Sequence, residues 1–324
     1  MNAETESAST SNVANDNTVG WWPGRNRFIV PELEKAPPRP EADVYAVDTR
    51  SRFTVEEATR VAVALGLSGD VHPDDVGGWR LEEAGVFYGL SSWGHAYFNN
   101  SILDPVAACE TSAYALHGDD TEAFSREMQS CMAAVPMPSD ELVRKSVSFF
   151  LAALGIDEDS TRVTLTPSDA SRTVTATAER IVEDNVTRIA ADVTVSAQGI
   201  TYASGPVGDI VSLGAYPLIG PAEAASRLSD PAFAPELVRW PDQSTEPGGF
   251  APLATPPAVP EAGSAVPWRI AEHEIVSVRL GLTLIDAEGV TYLVPAYEFT
   301  ASDKTVWSVL AVAESALDTS PGQE

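Results

Sequence analysis

The stretches TVEEATRVAVALGL (residues 54–67) and SDELVRKSVSFFLAALGI (residues 139–156) decide how this chain is read, because each spells out a helix with its start and its stop. In the first, Thr54 stands where an N-cap accepts a backbone N–H, and Val55, Ala58, Ala62 and Leu65 recur at the spacing of one helical face. In the second, Ser139 takes the cap position, and Val143, Val147, Phe150, Leu151 and Leu154 form the apolar face. Both close on Leu-Gly-apolar, Leu65-Gly66-Leu67 and Leu154-Gly155-Ile156, with glycine where a helix passes into a left-handed residue. From cap to leucine the second helix is longer by about one turn.

Outward from these helices the period changes from 3.6 to 2. A short strand at 44–47 precedes the first helix, and glycines alternate with apolar residues after it, giving strands at 85–90 and 95–98. Two short helices, 105–116 and 121–134, carry one cysteine each. The second helix leads into strands at 162–166, 172–180, 187–196 and 200–213. In the third of these Ile189, Ala191, Val193 and Val195 face one way and Arg188, Asp192 and Thr194 the other, the half-buried antiparallel pattern. A helix opened by Pro221 runs to Leu228, and a meander follows with strands at 270–285, 290–299 and 306–312. Between them, 229–267 holds nine prolines and three glycines, the composition of a long surface excursion.

These elements predict an α+β fold of tandem units, each a helix packed on an antiparallel sheet, joined by a helical connector. The division expected is a disordered tail or tether over 1–20, a first α+β unit over 21–104, a connector with the cysteine pair over 105–135, a second, larger α+β unit over 136–316, and a disordered tail over 317–324. If one unit carries a binding site, the longer sheet and the excursion favour the second.

Charge narrows the partners. Asp plus Glu outnumber Lys plus Arg by 47 to 20, a formal charge of -27, which argues against nucleic acid and an anionic membrane face, both of which need clustered basic groups. The longest dense apolar run, 149–156, is far short of the roughly 20 residues that span a bilayer. Residues 1–20 have neither the basic start nor the apolar core of a signal peptide, and the expectation is an anchor or signal upstream that this sequence lacks.

Few motifs carry chemistry. Cys109 and Cys131 suit a disulfide that would remove roughly 3 kcal/mol of loop entropy from the unfolded chain; buried free thiols are the competing reading. His72, His95, His117 and His273 lack the spacing that puts two imidazoles on one helix face. Gly89-Leu-Ser-Ser-Trp-Gly94 misses the spacing of a nucleophile elbow, and Gly205-Pro-Val-Gly208 is no phosphate loop. The acidic runs Asp157-Glu158-Asp159 and Asp119-Asp120 with Glu122 lack calcium-loop grammar and read as helix ends, so no cofactor is expected and calcium is the one metal these acids could hold. Aromatics are the remaining ligand contacts. Trp79, Trp93, Tyr97 and Phe98 stand in the first unit, and the binding candidates are Trp240 and Trp268 near the excursion, with Tyr216 and Tyr297.

The text from Ser212 to Leu228 (SLGAYPLIGPAEAASRL) and from Tyr292 to Phe299 (YLVPAYEF), with Trp307 to Val312 closing the chain, resembles uncharacterised actinobacterial envelope proteins. That resemblance covers roughly 44–312 and implies a membrane helix, a low-complexity tether and an extracytoplasmic region; this sequence departs from it in lacking the membrane helix. In outline, the helix-then-sheet repeat also looks like PepSY modules and the ectodomains that regulate bacterial sensor kinases. The resulting expectation is a non-enzymatic extracytoplasmic domain that binds a protein, peptide or envelope component, tethered by the missing upstream anchor and making no membrane contact itself. A carboxylate-based hydrolase of an envelope polymer and a structural spacer are the alternatives.

Overall fold

The computed structural model describes residues 25–31, 39–233, 235–239, 262–266, 268 and 270–319. In chain order the elements are β1 (Asn26–Ile29), β2 (Glu41–Asp48), α1 (Val55–Ala64), β3 (His72–Pro73), β4 (Trp79–Glu83), β5 (Val86–Leu90), β6 (His95–Asn100), α2 (Pro105–His117), α3 (Thr121–Ala134) and α4 (Asp140–Leu154). They continue with β7 (Thr161–Ser168), β8 (Thr173–Val182), β9 (Asn185–Ser196), β10 (Gly199–Pro206), β11 (Asp209–Pro217), α5 (Pro221–Arg227), β12 (Glu236–Arg239), β13 (Ala271–Ala287), β14 (Val290–Ala301) and β15 (Val306–Leu310). The mixed α+β class expected from the sequence is the class observed.

The twin helix signals fold as they are spelled. The Thr54 hydroxyl accepts from the Glu57 N–H and that of Ser139 from the Leu142 N–H, each satisfying one orphan donor of the first turn. At the far ends Gly66 (φ +84°) and Gly155 (φ +73°) are left-handed, and the hydrogen bonds are the same in kind. Leu67 N–H reaches the Ala62 carbonyl and Gly66 N–H that of Val63; Ile156 N–H reaches Leu151 and Gly155 N–H reaches Ala152. Both are Schellman stops, each burying the apolar residue that follows the glycine.

The two helices do not, however, found two cores. Strands from both halves of the chain form one antiparallel eight-stranded sheet in the order β3-β4-β5-β6-β10-β9-β8-β7, joined where Ala203 of β10 pairs with Phe98 of β6. Ala58, Val61 and Ala62 of α1 share a single buried cluster with Val143, Val147, Phe150 and Leu154 of α4, over Tyr88, Leu90, Phe98, Ala176 and Val193 of the sheet. The Arg60 guanidinium also donates to the Ala153 carbonyl, 3.0 Å, tying one helix to the other. The physical reason is area: a ten-residue helix with three buried residues cannot close a core alone. The expected boundaries at 104 and 136 therefore give way to a larger unit of 43–215 with 282–294, while the described residues of 1–42, 216–281 and 295–324 form a smaller one.

A second correction concerns 200–213, read from the sequence as one strand. The chain breaks at Val207-Gly208, so that β10 pairs with β6 and β9 while β11 pairs with β2. A Cβ on Gly208 would lie 2.8 Å from Val47 Cγ1 and 3.1 Å from the Asp48 carbonyl, so the crossing needs glycine.

The smaller unit holds β1, β15, β12 and the parts of β13 and β14 over 271–281 and 295–301, in the sheet order β1-β13-β14-β15-β12. Its core gathers Ile275, Tyr297, Phe299, Trp307 and Val309 under Ala224 and Leu228 at α5. Arg227 is buried there, donating to the carbonyls of Leu310 (2.7 Å) and Val312 (2.8 Å) with its guanidinium stacked on Phe233. Part of the expected excursion is a strand: β12 pairs with β15 through Leu237 and Trp307. The expected tails over 1–20 and, from 320, at the C-terminus lie outside the described residues, as does 240–261 of the excursion.

Candidate ligand-binding face

One face of the eight-stranded sheet is spent on α1 and α4; strand alternation hands the other to a different set of side chains. On β5 and β6, Tyr88, Leu90, Ala96 and Phe98 point to the core, so Phe87, Gly89, His95, Tyr97 and Asn99 take the outer face. The register then aligns Phe87 with Asn99 and Asn99 with Tyr202, and Gly89 with Tyr97 and Tyr97 with Ser204. Three aromatic residues on three consecutive strands thus surround Asn99. Phe87 is 41% exposed, Tyr97 39% and Tyr202 38%, an unusual amount of aromatic surface on paired strands.

The rings have distinct supports. A Cβ at Gly89 would lie 3.2 Å from Phe87 Cζ, so the Phe87 ring lies over the bare glycine, flat on the sheet. Tyr97 packs against His95 with ring centroids 4.9 Å apart at 43°. Burial holds the His95 imidazolium below the ordinary value near 6.5, with the Asp192 carboxylate pulling the other way. Neutral His95 is thus part of the apolar support at neutral pH.

Farther across the sheet the same face is hydroxyl-rich. Thr177 donates to Asp192 Oδ1 at 2.6 Å, and Thr175 and Thr194 share a hydrogen bond of 3.0 Å. The pairs stand opposite one another in register, and Thr164 and Thr166 of β7 extend both rows. Ring faces beside hydroxyl, amide and carboxylate groups can hold a flat, hydroxyl-bearing ligand.

The candidates named from sequence fare differently. Trp240 lies outside the described residues. Trp268 is 65% exposed, with the Arg25 guanidinium 4.1 Å above its ring. Tyr216 is half-buried near the end of β11. Tyr297 is a core residue: its ring is buried and its hydroxyl donates to the Ile219 carbonyl at 3.1 Å, so it presents nothing to a ligand. Among the described residues no ring contact joins Tyr216, Trp268 and Tyr297. Cys109 and Cys131 form a disulfide between α2 and α3. The acidic runs act as caps: Asp120 accepts from Ala123 N–H and Asp157 from Asp159 N–H. Among the described residues no three or more His, Cys, Asp or Glu side chains are grouped to hold a metal, and no helix is long and apolar enough to cross a membrane.

Phe87 and Tyr202 escaped the sequence reading. The signal existed, since alternation through Val86-Phe-Tyr-Gly-Leu90 sets Phe87 opposite Tyr88, but apolar residues on both faces hide which side is core.

No family model matches the chain, and no curated protein matches it; neither comparison supports the resemblance to actinobacterial envelope proteins or PepSY modules. Among solved structures, an uncharacterized protein from Eubacterium rectale is similar at 10% identity and a TM-score of 0.35, over 84% of this chain and 82% of that one. YycH from Bacillus subtilis is similar at 10% identity and a TM-score of 0.34, over 86% of this chain and 54% of its own. Scores of this size describe a partial overlap of outline.

Proposed function

We propose that this chain is a non-enzymatic binding domain that works outside the cytoplasm, and that its ligand is an envelope glycan lying on the outer face of the eight-stranded sheet. The observation that carries the reading is the exposed triad Phe87, Tyr97 and Tyr202 around Asn99. A pyranose ring offers an apolar C–H face to a flat aromatic ring and hydroxyls at its rim. Asn99, Asp192 and the threonine rows beyond the rings offer partners for those hydroxyls. The Cys109–Cys131 bond supports an oxidising compartment.

Titration of the purified protein with soluble cell-wall oligosaccharides, followed by calorimetry, tests it. Saturable binding lost in Tyr97→Ala and Tyr202→Ala, with the far-ultraviolet spectrum unchanged, is expected. Binding indifferent to both substitutions, or turnover of the oligosaccharide, overturns the reading.

A further inference from the structure

The α2–α3 hairpin is built in a way the sheet does not require. Along Thr121–Ala134 no residue of α3 is buried, and α2 buries only Pro105, Cys109 and Ala113. The principal packing partner of α3 is α2, to which the disulfide joins it. An isolated helix of this length is marginal in water, so the staple is what keeps the pair rigid. Rigid exposure is costly unless the exposed surface is used, and the surface has a shape. Glu110, Thr111, Tyr114, Ala115 and Phe124 line an open groove of about 550 Å³ on the hairpin. Tyr114, in the groove, is 62% exposed.

We infer that this groove docks a basic amphipathic helix of a partner protein, laid along α2 and α3 as the third helix of a bundle. The geometry suits the occupant because the ridges of two antiparallel helices leave a trough for the apolar face of a third. Its length is set by helices of 13 and 14 residues, about 20 Å. Charge selects its chemistry. Asp104, Glu110, Asp119, Asp120, Glu122 and Glu127 stand on or beside the hairpin, against two arginines: Arg126, already paired with Glu122 at 3.0 Å, and Arg172, which donates to the Val135 carbonyl at the end of α3. A negative rim around an apolar trough fits a segment with leucine-like anchors on one face and Lys or Arg flanking them. The same charge opposes a second copy of this chain as occupant, since both hairpins would be acidic on a background of -27. This inference is independent of the glycan reading, which rests on other strands.

The test uses the full chain and a fluorescein-labelled 14-residue peptide of Leu and Lys at helical spacing, with a scrambled peptide of the same composition and a Leu/Glu counterpart. Anisotropy should report saturable one-to-one binding of the amphipathic peptide, at least ~10-fold tighter than of the scrambled one and weakening with added salt. Tyr114→Ser and Glu110→Lys should each weaken it by about 10-fold. Glu56→Lys, the same charge change on the exposed face of α1, and Tyr97→Ala on the sheet should leave it unaltered, and circular dichroism should show every variant folded. Equal affinity for the scrambled peptide, or an equal loss in Glu56→Lys, makes the binding diffuse attraction to an acidic protein and overturns the inference. So does indifference to Tyr114→Ser, or a dimer in sedimentation that Tyr114→Ser abolishes.

Discussion

Val61 of α1 and Phe150 of α4 are both fully buried in one cluster, although 89 positions separate them in sequence. Truncating Phe150 to alanine removes a buried ring where α4 meets the sheet and should cost about 3–5 kcal/mol, transfer and residual cavity together. Val61→Ala removes two methyl groups from the other helix, about 2 kcal/mol at roughly 1 kcal/mol each. For a unit of this size each kcal/mol lowers Tm by about 2–4 °C, so the expected shifts are roughly 6–20 °C and 4–8 °C. Thermal and urea unfolding of the full chain, followed by far-ultraviolet dichroism and by the fluorescence of Trp79, which packs on this cluster, reads both. Whatever the smaller unit does, the two substitutions must displace the same transition. If Val61→Ala moves one transition and Phe150→Ala another, the helices found separate cores, as tandem units would require, and the single sheet is refuted.

The disulfide should act locally. With Cys109→Ser and Cys131→Ser together, the roughly 3 kcal/mol of loop entropy is lost from the hairpin alone, so α3 amides should exchange about 100-fold faster while α4 amides keep their protection. Gly66→Ala and Gly155→Ala should each cost about 1 kcal/mol in urea unfolding, because both glycines hold a positive φ and the nearest group to a Cβ at Gly155 is the Arg52 guanidinium at 3.3 Å, which can move; a cost at Gly155 alone would show crowding there rather than backbone strain. His95 titrates below its unfolded value near 6.5 because it is buried. The unfolded chain therefore takes up its proton first, and stability present above pH 6.5 is lost as pH falls toward the folded value. His95→Gln should flatten the stability–pH curve in that window, and an unchanged slope would place the loss at other groups.

The helices were legible because their information is local. A cap hydroxyl, a face at i and i+4, and a left-handed glycine followed by an apolar residue specify start, orientation and stop within one stretch, and Thr54 to Leu67 and Ser139 to Ile156 supply all of them. The hairpin turn at 286–289 is local in the same sense, with Glu288 and Gly289 both at positive φ. The partner of each strand is not. Nothing in His95–Asn100 announces that it pairs with Gly199–Pro206, because an alternating strand presents the same edge groups to any neighbour, and only the shared apolar face of α1 and α4 brings the two together.

The candidate face inherits that difficulty. Phe87 and Tyr97 are neighbours through the β5–β6 hairpin, which sequence reasoning can reach, whereas Tyr202 joins them only through the pairing of β10 with β6. A binding surface assembled across a non-local pairing therefore appears in sequence as scattered aromatics. Tyr297 and Tyr202 look alike there, and what separates them is which side of which strand the core occupies: one spends its hydroxyl on the Ile219 carbonyl, the other stands beside Asn99 facing outward. The hairpin of α2 and α3 is the opposite case, since its helices, its staple and its acidic rim are all contiguous in residues 104–134. What sequence cannot supply there is that no residue of α3 is buried among the described residues, and that exposure is what turns two ordinary helices into a surface with a consequence for binding.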